Sequence, residues 1–232
     1  MTCGAIIAAA GRSQRMNGQD KTLVLLEGRP VLARVLEAMA AVPEITELVV
    51  VVSPANADKA AALVEGTGLA GRARLCLGGR SRQESVHAGV RCLSPAIDLV
   101  LVHDAARPLV TPELLRRAIA AGAAFGAAVA AVPVSDTVKQ VDTSGRVVAT
   151  LDRSSLVLAQ TPQVFRREWL EAAYRCWPPG ASPATDEATL LEAAGFPVQI
   201  VPGSPENLKL TTTADVELAA AFLACRRQGA PA

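Results

Sequence analysis

The residues Ala8 to Met16, with Lys21 following five positions later, have the composition of a polyphosphate site. They come directly after the apolar run Ala5 to Ile7 and combine small residues with the cations Arg12 and Arg15. Small residues let the backbone approach a ligand, backbone N–H groups point at phosphate oxygens, and fixed cations offset the phosphate charge. Residues 8–21, called the opening loop below, therefore predict a phosphate site at the end of a buried strand.

Two common phosphate motifs do not fit the opening loop. The dinucleotide fingerprint requires glycines at its third and sixth positions, where Ser13 and Met16 stand. The P-loop requires an adjacent Gly-Lys pair, but Gln19 and Asp20 precede Lys21. Two interpretations remain, a loop of the nucleotidyltransferase kind or a basic surface turn, and a nicotinamide-dependent reductase is disfavoured.

Further candidates follow later apolar runs, at the strand ends where open parallel sheets bind ligands. Gly78 and Gly79 either admit a base or ribose against the backbone or form a capped strand-to-helix turn. The cations expected at these loop positions are Arg15, Lys21, Arg107, Arg153 and Lys209. So many positive groups in a nearly neutral chain predict that two phosphorylated molecules meet there.

Asp104 follows the apolar run 99–102. A carboxylate at the end of a buried strand is costly unless it is paired or binds a metal. Asp104 is therefore a candidate ligand for Mg²⁺ or for a substrate hydroxyl, and a structural ion pair with Arg107 is the alternative. We expect its neighbour His103 to be a hydrogen-bonded structural residue rather than a general base.

Short apolar runs alternate with segments of helical spacing. The runs lie at residues 6–7, 48–52, 75–77, 99–102, 129–134 and 198–201, and the helical segments at 31–39, 57–64, 85–93 and 114–121. Strands this apolar are typical of sheets covered on both faces, so the sequence predicts an α/β fold with a Rossmann-like, mostly parallel sheet and helices on both faces. Ser81, Thr111 and Thr212 are predicted helix caps.

One segment breaks this alternation. Residues 136–142 and 146–152 read as two strands around the turn Thr143-Ser144-Gly145, without a strongly apolar face. Because an isolated hairpin is marginally stable, we expect this arm, at about 135–155, to project and pack against a second copy of the chain. The predicted organisation is one domain over 1–227 with the arm as an insertion, and a flexible tail at 228–232.

Composition excludes several classes of function. The formal net charge is +1 and aromatic residues make up 3%, so neither a basic field nor a stacking platform for nucleic acid is indicated. The five cysteines are scattered and odd in number, which favours a reducing cytoplasm over a disulfide framework or a zinc site. Residues 1–20 lack the order of a signal peptide, and the weakly polar run 118–134 is too short for a confident membrane span.

Eight short motifs occur in one order along the chain. They are Ala9-Ala10-Gly11-x(3)-Arg15-Met16-x(4)-Lys21, Gly78-Gly79-x-x-Arg82-x-x-Ser85-Val86, Val102-His103-Asp104-Ala105-Ala106-Arg107-Pro108, Pro133-Val134-x-Asp136-Thr137-x-Lys139, Asp152-Arg153-x-x-Leu156, Gln160-Thr161-Pro162-Gln163-x-Phe165, Thr185-Asp186-Glu187-Ala188 and Asn207-x-Lys209-x-Thr211. Singly they are weak, but in this order they closely resemble the 2-C-methyl-D-erythritol 4-phosphate cytidylyltransferase family.

The resemblance implies cytidylyl transfer from CTP to 2-C-methyl-D-erythritol 4-phosphate, with Mg²⁺, in a cytoplasmic homodimer whose arms interlock. It further implies a role for each matching residue. Those implied around the cytidine are Ala9, Ala10, Gly11, Gly79, Ser85 and Ala105; those on the triphosphate are Arg15 and Lys21; those on the sugar phosphate are Asp104, Arg107, Thr137, Arg153, Thr161, Thr185 and Lys209, with Thr137 and Arg153 coming from the partner's arm. Arg15, Lys21, Arg153 and Lys209 are the residues expected to act in catalysis.

Three positions depart from the family pattern: Ser13 where a glycine is usual, Asp20 where a proline is usual, and Arg80 where some relatives have an acidic or small residue. We expect the carboxylate of Asp20, beside the triphosphate lysine, to weaken CTP binding. The alternatives to the family's reaction are a cytidylyltransferase for another polyol phosphate, such as ribitol 5-phosphate, and a non-catalytic nucleotide-binding regulator.

Overall fold

A computed structural model describes residues 1–11, 20–69 and 71–229, and within these ranges strands and helices alternate over most of the chain. The strands are Cys3–Ala8 (β1), Leu25–Leu26 (β2), Arg29–Pro30 (β3), Ile45–Val52 (β4), Ala73–Leu77 (β5), Leu99–Asp104 (β6), Ala127–Pro133 (β7), Val138–Val141 (β8), Val147–Leu151 (β9), Val157–Arg166 (β10) and Gln199–Pro202 (β11). The helices are Val31–Ala40 (α1), Ala57–Glu65 (α2), Arg82–Cys92 (α3), Pro112–Phe125 (α4), Arg167–Cys176 (α5), Glu187–Ala193 (α6) and Thr213–Gly229 (α7). None of these helices is long and apolar enough to cross a membrane.

Seven strands form the central sheet in the order β11-β7-β10-β6-β1-β4-β5. The pairs β1–β4, β1–β6, β4–β5 and β7–β11 are parallel, and β10 runs antiparallel to β6 and β7. The predicted mostly parallel sheet is therefore confirmed. The chain builds outward from β1 through β4 to β5 and then returns to place β6 on the other side of β1. The carboxyl ends of β1 and β6 thus meet at a topological switch point, where Ala8 pairs with Asp104.

Both faces of the sheet are covered, which explains why the strand sequences are continuously apolar. Along β1, Ala5 and Ile7 belong to one buried cluster, which also includes residues of α1 and α4. Ile6 belongs to the opposite cluster, which includes residues of α3, α5 and α6. The sheet thereby becomes a rigid support for the loops at its edge.

The predicted helix starts are confirmed by hydrogen bonds. Ser81 Oγ accepts from the backbone N of Glu84 at 3.0 Å, and Thr111 Oγ1 accepts from that of Leu114 at 3.3 Å. Thr212 Oγ1 accepts from the backbone N of Asp215 at 3.4 Å, while the Asp215 carboxylate accepts from the backbone N of Thr212 at 2.7 Å. These caps satisfy N–H groups that the first turn of a helix leaves unpaired.

Five elements were not predicted from the sequence, namely the short strands β2 and β3 and the elements β10, α5 and α6. β10 carries Gln160, Thr161, Pro162 and Gln163 within its length, and polar residues and proline are unusual inside a central strand. Its register with β7 shifts between Ala159 and Gln163, so this polar stretch interrupts the ladder where it borders the loops described below.

The predicted hairpin is present as β8 and β9, which form a separate two-stranded sheet. Gly145 takes a positive φ of 81° in the turn, and Asp142 Oδ1 accepts from the backbone N of Ser144 and of Arg146. Nearly all residues of the arm are exposed within this single chain. The division into one domain with a flexible tail stays a prediction.

Candidate active site at the strand ends

A cavity of about 880 Å³ opens at the carboxyl ends of β1, β5 and β6. It is lined by residues of the opening loop, of the glycine loop after β5, of the end of β6 and of the segment after β11. These are Ala8, Ala9, Ala10, Gly11, Lys21, Thr22, Gly78, Gly79, Arg80, Ser81, Arg82, Glu84, Ser85, Asp104, Ala106 and Lys209. The structure thus brings together five of the six residues predicted around the cytidine, with Lys21 and Lys209. Arg15 lies outside the described residues.

The glycine loop is packed too closely to carry side chains. A Cβ atom on Gly78 would lie 2.5 Å from Ala10 Cβ, and one on Gly79 would lie 2.5 Å from Glu84 Cβ. Ser85 Oγ accepts from the backbone N of Gly79 at 3.1 Å and donates to the carbonyl of Ser81 at 2.8 Å. The hydroxyl of Ser85 therefore fixes the loop, and the small residues leave the loop backbone open to a flat ligand.

Ala105, the sixth residue predicted around the cytidine, is fully buried. Its backbone N donates to the carbonyl of Ala8 at 3.2 Å, which ties the loop after β6 to the end of β1. The cavity wall at this point is formed by its neighbour Ala106.

Asp104 lies at the centre of the charged part of the site. Its Oδ1 is 3.2 Å from Arg82 Nε, and its Oδ2 is 2.6 Å from Lys209 Nζ. Burial raises the pKa of Asp104, but Arg82 and Lys209 outweigh burial and hold the pKa of this carboxyl well below its usual range. Asp104 is therefore an ionised acceptor between two cations. Its assignment as a Mg²⁺ ligand stays a prediction.

Arg82 links Asp104 to a second buried carboxylate. Its Nη1 lies 2.8 Å from Oε2 of Glu187, whose residue surface is 1% exposed. Burial lowers the pKa of Arg82, but the two carboxylates more than offset this effect. Burial raises the pKa of Glu187, and the ion pair with Arg82 counteracts it.

Arg82 and Glu187 were not among the predicted site residues. Both lie inside motifs of the sequence, Gly-Gly-x-x-Arg and Thr-Asp-Glu-Ala, and these motifs were the signal that could have identified them as site residues. We call Arg82, Asp104, Glu187 and Lys209 the buried charge cluster.

The guanidinium of Arg107 does not donate to the carboxylate of Asp104, which was the alternative considered from the sequence. Instead its Nη1 donates to the carbonyl of Asn207 at 2.7 Å, and the amide of Asn207 donates to the carbonyl of Thr161 at 2.8 Å. The Nε atom of Arg107 is buried, and no residue that the structure describes accepts a hydrogen bond from it. A buried guanidinium with an unused donor is suited to an anionic ligand.

His103 is buried in a fixed hydrogen-bond chain, as expected of a structural residue. Thr161 Oγ1 accepts from the backbone N of Asp104 at 3.0 Å, so its own proton is directed to His103 Nδ1 at 3.1 Å. The other ring nitrogen, Nε2, then donates to the carbonyl of Arg107 at 3.2 Å. Burial lowers the pKa of His103 to about 4, so the ring is neutral and its two nitrogens are engaged.

A second cavity, of about 250 Å³, adjoins the buried charge cluster. It is lined by Arg82, Asp104, Arg107, Ala159, Gln160, Thr161, Gln163, Thr185, Asp186 and Lys209. All the predicted sugar-phosphate residues of this chain line it. Arg82, Asp104 and Lys209 line both cavities and form a shared wall between them.

The two predicted arm residues lie elsewhere. Thr137 and Arg153 are exposed, and Arg153 Nη1 donates to the carbonyl of Ser135 at the base of the arm. Neither residue lines the two cavities. Their assignment to a partner's site stays a prediction.

Two cavities with a shared charged wall suit a reaction between two phosphorylated substrates, one of them a nucleotide, which is the task of an α/β nucleotidyltransferase. The comparisons with known proteins define the family within that class. The sequence model of 2-C-methyl-D-erythritol 4-phosphate cytidylyltransferase matches residues 3–225, and the chain belongs to this family. The resemblance read from the motifs is thereby confirmed.

Relatives and solved structures agree with this assignment. The chain is 43% identical to the 2-C-methyl-D-erythritol 4-phosphate cytidylyltransferase of Dehalococcoides mccartyi strain 195, over 95% of each chain. It also resembles the crystal structure of 4-diphosphocytidyl-2C-methyl-D-erythritol synthase from Anaerococcus prevotii, with a TM-score of 0.86 and 31% identity over 96% of this chain and 98% of that one. For the Thermus thermophilus cytidylyltransferase the TM-score is 0.77, at 31% identity and the same coverage.

Proposed function

We propose that the chain transfers the cytidylyl group of CTP to 2-C-methyl-D-erythritol 4-phosphate and releases pyrophosphate, a step of the non-mevalonate route to isoprenoid precursors. The shared wall of Arg82, Asp104 and Lys209 is the observation that carries this activity, because it puts a nucleotide-sized cavity and a smaller cationic cavity in contact. Family membership supplies the identity of the two substrates.

The chemistry requires cations rather than a strong base. The attacking group is a phosphate oxygen of the sugar phosphate, already anionic near neutral pH. It forms a bond to the α-phosphorus of CTP while the bond from that phosphorus to the β-phosphate oxygen breaks and pyrophosphate leaves. The barrier is the approach of two polyanions and the charge that gathers on the transferring phosphoryl group. The neutral, fully engaged His103 fits a site without base catalysis.

We assign CTP to the larger cavity. The glycine loop, Ala10 and Gly11 surround the base and ribose, while Lys21 and Arg15 bind the triphosphate. The absence of side chains at Gly78 and Gly79 supports the site for the base and ribose. The position of Lys21 in the cavity wall supports the site for the triphosphate.

We assign the sugar phosphate to the smaller cavity. The Arg107 guanidinium and the Lys209 ammonium are its cationic contacts, and Asp104 and Thr185 offer oxygens to its hydroxyls. The exposed Arg153 and Thr137 then reach this cavity from the arm of a second copy, so we infer a homodimer that interlocks through the arms.

Mg²⁺ is the divalent cation expected for this reaction. The described residues do not provide the side-chain ligands that a Mg²⁺ ion bound directly by the protein would require. No group of three His, Cys, Asp or Glu side chains in the described ranges could hold a metal, and both oxygens of Asp104 already face cations. We therefore infer that Mg²⁺ enters as the counter-ion of CTP, bound to phosphate oxygens.

We infer that the reaction takes place in a reducing cytoplasm. All five cysteines lie in the described ranges and are free thiols, of which Cys3 is buried with its pKa raised to about 12 by burial. A thiol of this kind is chemically inert, and disulfides have no part in the fold.

A pyrophosphate-release assay that crosses CTP, ATP, GTP and UTP with 2-C-methyl-D-erythritol 4-phosphate and ribitol 5-phosphate tests the proposed function. We expect release with CTP and the methylerythritol phosphate. Release with ribitol 5-phosphate alone would reassign the acceptor. CTP binding in calorimetry without release for any pair would identify a non-catalytic regulator instead.

A further inference from the structure

Asp20 stands directly before the predicted triphosphate lysine, where its charge was expected to oppose CTP. The structure gives its carboxylate three donors within the protein. Oδ1 accepts from the backbone N of Thr22 at 2.9 Å and from Thr22 Oγ1 at 2.7 Å, and Oδ2 accepts from Asn56 Nδ2 at 2.6 Å. A carboxylate whose two oxygens are both bound in this way is oriented by the fold.

Asn56, which donates a hydrogen bond to Asp20, is 2% exposed. It precedes α2, in the loop that follows β4. Its Oδ1 accepts from the backbone N of Ser53 at 2.8 Å, and its Nδ2 donates to the carbonyl of Ala9 at 3.0 Å as well as to Asp20. Because the Ser53 N–H only donates and the Ala9 carbonyl only accepts, the amide has one allowed orientation.

Asn56 therefore joins the two ends of the opening loop. Ala9 follows β1, and its backbone N donates to the carbonyl of Val51 in β4 at 2.8 Å. At the other end, Thr22 is 1% exposed, and its carbonyl accepts from the backbone N of Leu32 at 2.8 Å. Lys21 lies between two residues, Asp20 and Thr22, that are both held by buried partners, and it lines the larger cavity.

We infer that Asp20 is a positioning residue, which with Asn56 closes the base of the opening loop and holds Lys21 towards the triphosphate. The inference rests on the proposed function. The carboxylate acts through Lys21 and does not touch the substrates, and the proline usual at this position is replaced by a hydrogen-bonded brace.

A double-mutant cycle tests this inference. Because the Asp20 side chain accepts three hydrogen bonds that hold the segment around Lys21, we expect Asp20→Ala to lower CTP affinity and kcat/KM for CTP by about tenfold or more. KM for the sugar phosphate should stay within about twofold, because the brace lies on the triphosphate side. In a Lys21→Ala background, Asp20→Ala should change either quantity by less than about twofold, since the residue it positions is gone.

Asp98→Ala is the matched control. Asp98 also accepts from a threonine backbone N and its hydroxyl, those of Thr2 at 2.7 and 3.2 Å, but it lines neither of the two site cavities. We expect its kinetics to equal those of the unaltered chain. Amide hydrogen exchange adds a structural readout, because the Thr22 N–H should lose protection in Asp20→Ala and keep it in Asp98→Ala.

The reciprocal exchange Asp20→Asn with Asn56→Asp adds a rescue. It restores a donor–acceptor pair between positions 20 and 56, so the double variant should bind CTP more tightly than Asn56→Asp alone.

Two outcomes overturn the inference. One is tighter CTP binding by Asp20→Ala, which would mean that its charge opposes the triphosphate. The other is multiplication of the Asp20→Ala and Lys21→Ala effects, which would mean that the residues act independently. CTP binding measured by calorimetry keeps this test separate from the proposed function. If the two substitutions are coupled in CTP binding but no pyrophosphate is released, the positioning role of Asp20 is supported and the proposed function is wrong. If pyrophosphate is released but the two substitutions act independently, the proposed function is supported and the positioning role is wrong.

Discussion

The buried charge cluster and the projecting arm are two regions that both carry predicted site residues, and they are held in opposite ways. In the cluster, Arg82 and Lys209 are fixed by ion pairs within the chain, to Asp104 and Glu187. In the arm, Thr137 and Arg153 are exposed on a two-stranded hairpin that stands apart from the main sheet. The cluster is therefore set by contacts within the chain, whereas the proposed role of the arm requires a contact with a second copy.

The arm's surface supports that reading. Val147 and Val148 are 60% and 63% exposed, and neighbouring Val141 is 54% exposed. Apolar side chains in an isolated hairpin contribute little to stability, but they are suited to burial against another protein surface. This difference supports the proposal that a complete site needs a second copy, and each prediction below tests one of the two regions.

The largest expected effect follows from removing the arm. Deleting residues 138–150 should give monomers without activity, because Arg153 and Thr137 then have no means to reach a partner's cavity. Sedimentation and pyrophosphate release are the measurements, and circular dichroism checks that the sheet and helices remain. A fully dimeric deletion variant would contradict the assigned role of the arm.

Subunit mixing sharpens the same prediction without a deletion. Arg153→Ala and Lys209→Ala should each be nearly inactive alone. A refolded equal mixture should recover about a quarter of the wild-type rate, because half of the dimers are mixed and each has one intact site of two. No recovery in a mixture that contains mixed dimers would argue that both residues serve the same chain.

Within the cluster, replacing Arg82 should have the largest effect on stability. Arg82→Met leaves the buried Glu187 carboxylate without its cation, which costs about 3–5 kcal/mol of the free energy of unfolding. Urea denaturation measures this loss. The double variant Arg82→Met with Glu187→Leu should recover most of it, because no buried charge is then left unpaired; equal instability of the double variant would show that packing, not charge, dominates.

Lys209→Ala should lower turnover about a hundredfold, or about 3 kcal/mol, by comparison with other preorganised donors to a transferring group. Lys59→Ala is the control from α2. Lys59 is exposed and lines neither site cavity, so its loss should change neither stability nor turnover measurably. Near-normal turnover in a folded Lys209→Ala variant would remove Lys209 from catalysis.

The smallest effect concerns pH. Burial lowers the pKa of His103 from 6.5 to about 4, so between these values the unfolded chain binds more protons than the folded one. Stability is therefore complete above pH 6.5 and is lost as the pH falls, by about 2 kcal/mol at pH 5. Urea unfolding at about pH 5 and above pH 6.5 measures this loss in the free energy of unfolding, and His103→Gln should remove most of the difference. His87, whose pKa is also lowered by burial, adds to this difference, whereas Glu187, whose pKa is raised by burial, opposes it.

Much of the fold was predictable because it depends on local patterns. Continuous apolar runs identified β4 and β6, and the cap residues Ser81 and Thr111 identified helix starts. The strand β10 was missed because Gln160 and Pro162 are atypical of a central strand, and only its antiparallel neighbours, β6 and β7, explain it.

The site residues likewise divide into those that the sequence could predict and those that it could not. Asp104 was predicted because it closely follows an apolar run, Lys209 because apolar residues surround it, and Lys21 because it belongs to a loop of small residues and cations. Glu187 was missed because a single acidic residue reads as surface, and its burial depends on Arg82, which is 105 positions away in sequence. The contacts of Asp20 could not be predicted for a similar reason, since its partner Asn56 is 36 positions away.

The neutral imidazole of His103 has a consequence for regulation by acidity. With this ring uncharged and Asp104 ionised at neutral pH, neither group changes charge in the range where the cell's interior varies. The phosphate of the acceptor, with a second ionisation near pH 6, does change there. The acid limb of the rate profile should then follow the acceptor's own titration and shift when the acceptor is changed, so that the substrate, rather than the enzyme, acts as the proton sensor.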